Sequence, residues 1–367
     1  MMRVALLTYS TKPRGGVVHT LALAESLADL GVEVDVWTLG RDGDTAFFRP
    51  VAANVGVRAV PFEPRDEEPV GDRIIRSITV LAEAFRPLRG DYDIIHAQDC
   101  ISANAAMPCV RTIHHLDHFT TPQLAACHER AVVEPAYRIC VSAAVAEEVR
   151  LGWGFEPTVI PNGVDAARFA AGARDAAGRA RWRDKLGRYV LALGGIEPRK
   201  ASIDLIEAFA LLRRQGGPDQ AKLRLVFGGG ETLFDYRDYR AAFEARAAEL
   251  GITPEIVGVL ADDEMPALVA EASVLAMVSA REGFGLAGME ALAAGVPVVA
   301  RDLPVLHEVY GDTVAFAQDA SGIAAALARQ LSAPLPPDVG RVLAASYTWE
   351  RAAAAHLTVY QGLLARS

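Results

Sequence analysis

The sequence predicts an α/β protein made of two domains, each with its own parallel sheet. Short apolar, β-branched runs alternate with segments of helical period, as buried parallel strands and their crossover helices do. That alternation stops near residue 165 and starts afresh at residue 189. The chain has 367 residues, which fits two domains at roughly 100–200 residues each. With 51% apolar and 23% charged residues it can bury substantial cores and is not a disordered chain.

In the first half, Arg3–Tyr9 (RVALLTY) reads as a strand and Ser10–Gly16 as a turn. From Val17 the period changes to helical, with Val17, Leu21, Ala24, Leu27 and Ala28 on one face and Gly31 closing the helix. Val32–Leu39 is the next strand, which completes a βαβ unit. Arg73–Leu88 is a helix with Ile74, Ile78, Leu81, Phe85 and Leu88 on one stripe. Tyr92–Ala97, Pro108–His114, Tyr137–Ser142 and Thr158–Ile160 are strands, and Ala143–Arg150 is a helix. Pro161-Asn162-Gly163 breaks the last of these strands.

Residues 166–187, rich in Ala, Gly, Arg and Asp, read as a linker between a domain at 1–165 and a second at 188–345. The second domain repeats the pattern. Its strands are Tyr189–Leu193, Leu223–Phe227, Glu255–Val259, Val274–Val278 and Val296–Ala300. Its helices are Ile203–Arg214, Tyr239–Leu250, Met265–Ala272 and Leu286–Ala294. A proline-rich connection at 331–340 precedes a terminal segment, 346–367, that reads as one long helix over Trp349–Ala365. No internal repeat of solenoid length is present.

Composition excludes several function classes. Lys and Arg total 37 against 46 Asp and Glu, a net charge of −9, which opposes general nucleic-acid binding. Cys100, Cys109, Cys127 and Cys140 form no C-x-x-C pair. In a chain of this size they read as reduced core thiols. The apolar run after Met1-Met2-Arg3 is a strand rather than a signal peptide, and no stretch is long enough to span a membrane, so a cytoplasmic protein is expected.

Two segments can carry chemistry. Gly15-Gly16, between a strand and a helix, lets a ligand approach the backbone, and the helix start behind it offers N–H groups to an anion. A tight turn would look the same, and the spacing is not the dinucleotide G-x-G-x-x-G. The stronger segment runs from Arg281 to Glu290 (REGFGLAGME) after a strand. It places Glu282 in a loop and Glu290 just over a turn into a helix, at the carboxyl edge of a parallel sheet. Two carboxylates suit paired hydroxyls, as on a sugar or a ribose, and the N–H groups near Phe284, Gly285 and Leu286 suit a phosphate.

With these residues in view, the chain resembles the retaining glycosyltransferases of family 4. The match is Glu282-x7-Glu290 within SAREGFGLAGMEALAAGVPVVA, together with residues 15–39, VIPNGVD (159–165), Glu197-Pro198-Arg199-Lys200 and FGGGE (227–231). The resemblance implies the GT-B fold, two Rossmann-like domains facing a central cleft, with the C-terminal helix crossing back to the N-terminal domain. It implies transfer of a hexose from a nucleotide-diphosphate sugar to a sugar, lipid or small-molecule hydroxyl, with retained configuration and no metal cofactor. Glu290 would bind the ribose and Glu282 the transferred sugar. Phe284, Gly285 and Leu286 would present N–H groups, and Val257, Gly258, Val259 and Leu260 would lie near the base. Gly15 and Gly16 would line the diphosphate, Lys200 would neutralise it as it leaves, and His114 would contact the donor sugar. Acceptors would be gripped by the first domain, through the loops at 40–72.

One departure stands out. Where the family usually has an arginine, this chain reads Gly194-Gly195. Arg14, Arg199 or Arg281 could supply the missing cation, and Arg14 is favoured because it abuts the glycine turn. Two alternatives follow: a nucleotide-sugar epimerase or sugar phosphorylase of the same fold, or a non-catalytic nucleotide-sugar binding protein. His114, His115, Asp117 and His118 are spaced too tightly for a metal site and lack an obvious fourth ligand. His96 and Asp99 read as cleft-lining. Arg73, Arg76, Arg86 and Arg89 surround the first-domain stripe, where solvated arginines on a packed helix are favoured over contact with a membrane surface.

Overall fold

The computed structural model describes residues 1–41, 45–63, 65, 68–116, 119, 122–230 and 236–366. It divides into two compact units, Met1–Gly163 with the chain from Tyr347 onward, and Val164–Ser346.

The first unit holds strands β1 (Arg3–Leu7), β2 (Glu33–Arg41), β3 (Val55–Phe62), β4 (Ile94–Ala97), β5 (Val110–Ile113), β6 (Tyr137–Cys140) and β7 (Thr158–Val159). They form one parallel sheet in the order β3-β2-β1-β4-β5-β6-β7. Helices α1 (Gly15–Asp29), α2 (Val70–Phe85), α3 (Cys100–Ala106), α4 (Pro122–Val133) and α5 (Ala143–Trp153) connect them. Side chains alternate along each strand, so Val4 and Leu6 join the core under α1, while Ala5 and Leu7 join the one under α2.

The C-terminal helix (Trp349–Leu364) belongs to this unit and packs on α1. Its buried residues Trp349, Ala352, Ala353, His356 and Tyr360 recur at helical spacing. Thr348 caps its start by accepting from Arg351 N at 3.2 Å. Each large apolar side chain so buried contributes about 1.5–3 kcal/mol.

The second unit opens with α6 (Ala166–Arg174) and α7 (Ala176–Leu186). The linker expected at 166–187 is therefore two helices, capped by Asp165 and Asp175 and packed on the rest of this unit. Alanine-rich composition, taken as structureless, is strong helix propensity. The sheet contains β8 (Tyr189–Leu193), β9 (Arg224–Gly228), β10 (Glu255–Gly258), β11 (Val274–Met277), β12 (Val298–Arg301) and β13 (Ala315–Ala317), in the parallel order β10-β9-β8-β11-β12-β13. Its remaining helices are α8 (Ser202–Gln215), α9 (Pro218–Ala221), α10 (Arg237–Glu249), α11 (Met265–Glu271), α12 (Leu286–Ala294), α13 (Pro304–Tyr310), α14 (Ala320–Ser332) and α15 (Pro337–Ser346). The connection expected at 331–340 thus runs into α15, which starts on Pro337, a residue suited to a first helical turn.

Several elements escaped the sequence pattern. Edge strand β3 lies within 40–72, a region read as loops, and carries Pro61, which an edge tolerates. Helices α3 and α4 were also unmarked, as were α13, β13 and α14. Leu88, placed on the core stripe, is exposed in a 3-10 turn beyond α2. Three of the four cysteines, Cys109, Cys127 and Cys140, are buried.

Candidate active site

In the second unit, β11 ends at Met277 and the chain loops to α12. Gly285 caps that helix at φ +88°, and a Cβ there would stand 2.8 Å from Tyr310 Oη. Only glycine satisfies both the backbone and the space. Among the described residues no side chain caps α12; Gly288 N bonds back to the Gly285 carbonyl at 3.0 Å, which leaves the N–H groups of Leu286 and Ala287 without an intrahelical partner at the helix start.

Glu282, in the loop, is held on one oxygen by several donors. Its Oε1 accepts from Lys200 Nζ at 2.6 Å and from Ser279 Oγ at 2.8 Å. Arg199 Nη1 lies 3.7 Å from the same oxygen and its Nη2 donates to Glu197 at 2.9 Å. Burial alone would raise the Glu282 carboxyl, but Lys200 and Arg199 beside it and the two hydrogen bonds hold it at about 2. Its two hydrogen-bond donors, Lys200 and Ser279, line a small pocket with Gly194, Gly195, Ser202 and Ala287.

Glu290 is the opposite case. It is half-buried in α12, and its carboxylate makes no hydrogen bond or ion pair among the described residues. Burial pushes it up to about 7, opposed by Arg168 and assisted by Asp165 and Asp262. Two carboxylates eight residues apart in one motif thus differ in state: one is neutralised by cations, the other left open for hydroxyl donors. At the edge of the same sheet, β10 ends at Gly258 (φ +72°), and Val259 beyond it is 57% exposed.

In the first unit, α1 also starts without a side-chain cap, at Gly15-Gly16, and Arg14 stands at its N-cap position. The Arg14 guanidinium lies over the Tyr9 ring, 5.6 Å from its centroid. The His114 ring lies against Gly16, where an added Cβ would be 3.8 Å from its Nε2. That nitrogen is buried and has no hydrogen-bond partner among the described residues. Burial, then His19 and Arg111, holds His114 well below the usual histidine range, so it is neutral at pH 7. His19 packs edge-on at 4.7 Å and donates from Nδ1 to Asn162 Oδ1 at 2.9 Å. That bond gives the VIPNGVD motif a local role in fixing α1.

Other expectations need correction. His96 does not line an open cleft: it is fully buried, with Nδ1 2.6 Å from Tyr360 Oη and Nε2 2.7 Å from Thr112 Oγ1. Asp99 caps α3, accepting from Ser102 N and Tyr9 N. Asp117 and His118 lie outside the described residues, as does Glu231 of the FGGGE segment. Among the described residues, no group of three or more His, Cys, Asp or Glu is placed to hold a metal ion. Arg76 is bound to Glu68, and Arg89 donates to the carbonyls of Ala106, Met107 and Pro108, so neither is a loose basic group for a membrane surface. No helix among the described residues is long and apolar enough to cross a membrane. Sequence reasoning missed Ser279, Arg168 and Asp262; the first two were visible only as neighbours of recognised motifs.

Comparison with known proteins identifies the family of this α/β chain. Residues 13–168 match the model of Glycosyltransferase Family 4, and residues 179–335 that of Glycosyl transferases group 1. The chain is 32% identical to the D-inositol 3-phosphate glycosyltransferase of Salinispora arenicola, over 98% of this chain and 91% of that one. It is 27% identical to the MMP alpha-(1->4)-mannosyltransferase of Mycolicibacterium hassiacum, over 100% of this chain and 99% of that one. Among solved structures, sucrose-phosphate synthase from Thermosynechococcus elongatus aligns with a TM-score of 0.79 at 22% identity, covering 100% of both chains. Anabaena Alr3699/HepE, solved with UDP and glucose, aligns with a TM-score of 0.72 at 19% identity, over 98% of this chain and 100% of that one. The chain belongs to family 4 of the glycosyltransferases, with the two parallel-sheet Rossmann-like units of the GT-B class. It is a glycosyltransferase.

Proposed function

We propose that the chain transfers a hexose from a nucleotide-diphosphate sugar to a hydroxyl acceptor, with retention of configuration and without a divalent metal. The observation that carries this reading is the convergence of Lys200 and Arg199 on Glu282, beside the uncapped start of α12 and the open carboxylate of Glu290. Glu290 accepts hydrogen bonds from the ribose hydroxyls, and the β10 end at Val257–Leu260 faces the base. Glu282 holds a hydroxyl of the transferred sugar. The solved relative with UDP-glucose supports a donor of this type, and the mannosyltransferase name supports a hexose.

As the bond between the anomeric carbon and the diphosphate oxygen breaks, its electron pair leaves with the diphosphate, and the acceptor hydroxyl adds to the carbon and passes its proton to the departing diphosphate oxygen. Negative charge grows on the leaving oxygen. Lys200, Arg199 and the N–H groups of α12 are in place before the reaction and stabilise that charge without reorganising. These groups take over what a metal would do. Arg199 rather than Arg14 fills the role left by Gly195, because it already stands beside Lys200. In the first unit, the start of α1 offers N–H groups to phosphate, and neutral His114 offers a ring nitrogen to a sugar hydroxyl.

A thermal-shift panel of UDP-, GDP- and ADP-sugars, followed by assay of nucleoside diphosphate release, tests this. One donor class should stabilise the protein and be consumed when an acceptor is present. Stabilisation with no release under any acceptor would favour a binding protein, and no stabilisation by any donor would overturn the proposal.

A further inference from the structure

The proposed nucleoside site contains a charged group with no part in the reading above. Arg168, on the first turn of α6, reaches across to the segment between β10 and α11. Its guanidinium is 2.8 Å from Asp262 Oδ1 and also donates to the Asp262 carbonyl. Asp165 fixes the same turn by accepting from Arg168 N at 3.1 Å. One turn further, α6 is pressed onto the start of α11: a Cβ on Gly172 would stand 2.5 Å from Pro266 Cβ and 2.6 Å from its backbone carbonyl. Arg168 is thus held by its own helix, by a partner carboxylate and by a close backbone approach.

Glu290 lies on α12, which packs against α6. The charged groups that act on it are Arg168 and Asp165 from α6 and Asp262 from the segment before α11. Strand β11 carries no charged residue, and on α11 Glu271 is paired with Arg179 and Arg183. On β12, Arg301 is turned to Val278, Gln318 and Asp204. On α15, Arg341 lies against Gly295, at the far end of α12, and pairs with Asp338. Resting on the reading of Glu290 as the ribose carboxylate, we propose that Arg168 is a positioning residue for the nucleoside: tethered by Asp262 on a helix packed against α12, it couples the loop after β10 to Glu290 and thereby sets the affinity for the nucleotide.

The physical reason is that a carboxylate accepts from both ribose hydroxyls, whereas its protonated form loses part of that capacity. A partly desolvated carboxyl is neutral unless a cation stands near it. Asp262 restrains that cation, sharing it between the loop that follows β10 and Glu290. Loop position and charge state are therefore coupled through one guanidinium.

The test is calorimetric titration of UDP, GDP and ADP into the full chain between pH 5.5 and pH 9, with E290Q as the profile of the nucleotide's own phosphates. For the nucleotide that binds, wild-type affinity should fall about tenfold per pH unit below neutrality relative to E290Q, as expected for one linked proton. R168Q should move the midpoint upward and D262N downward, by about one pH unit each, and R168K should restore the wild-type midpoint. Opposite shifts are not what loss of a merely structural contact gives. If R168Q and D262N both weaken binding but leave the midpoint unmoved, Arg168 has only a structural role and the proposal is overturned while the reading of Glu290 stands. If E290Q binds as tightly as wild type at every pH, the reading of Glu290 itself fails and takes this proposal with it.

Discussion

Lys200 Nζ donates to Glu282 Oε1 at 2.6 Å, and the same oxygen accepts from Ser279. The ammonium is therefore parked on the carboxylate that is proposed to hold the sugar, one residue from the Arg199 that shares it. A diphosphate entering this site meets a cation already oriented rather than one drawn from solvent. Lys200→Ala should lower turnover about 10²–10³-fold, the usual effect of removing one preorganised group facing developing charge. Arg199→Ala should cost about tenfold or more, and Arg14→Ala less. Initial rates under saturating donor check the ranking; a larger loss in Arg14→Ala than in Arg199→Ala would return the second cation to Arg14.

The first unit should be acid-labile. His19, His96, His114 and His356 are all held below the ordinary value of 6.5, first by burial; His19 sits at about 3 and His356 at about 4. Between those values and 6.5 the unfolded chain binds protons that the folded one does not, so stability is complete above pH 6.5 and is lost as pH falls. At pH 5 the loss is about 2 kcal/mol for each such histidine that stays neutral in the fold. Urea unfolding at pH 7.5 and pH 5 measures it, and His356→Gln should flatten the dependence. Equal stability at the two pH values would mean that the cluster is solvated.

Gly163 holds the C-terminal helix in place by having no side chain. A Cβ there would stand 2.4 Å from Trp349 N and 2.5 Å from its Cα, both backbone atoms that cannot swing away. Gly163→Ala should destabilise the first unit by about 1–3 kcal/mol, the range for overpacking. A melting temperature unchanged from wild type would show that the helix is not seated as described.

The legible parts of this sequence were those with a strong local signature. The β-branched runs gave both sheets, and Glu282-x7-Glu290 gave the loop and helix that carry the candidate site. Short helices such as α3, closed by an Asp99–Ser102 capping box, have too few turns to show a period. Alanine-rich α6 and α7 hid because each buries only one or two large apolar side chains, Phe169 in α6 and Trp182 and Leu186 in α7, beside close contacts at Gly172 and Gly178. The roles of Arg168 and His96 depend on partners 94 and 264 residues away, which no spacing rule reaches.

The most direct measurement is a crystal structure with the nucleotide-sugar that the binding panel selects. The ribose hydroxyls should lie within about 2.6–3.2 Å of the Glu290 carboxylate, with the diphosphate on Lys200 and the N–H groups at 284–286. A nucleotide bound elsewhere, leaving Glu282, Glu290 and Lys200 untouched, would contradict the assignment of the site.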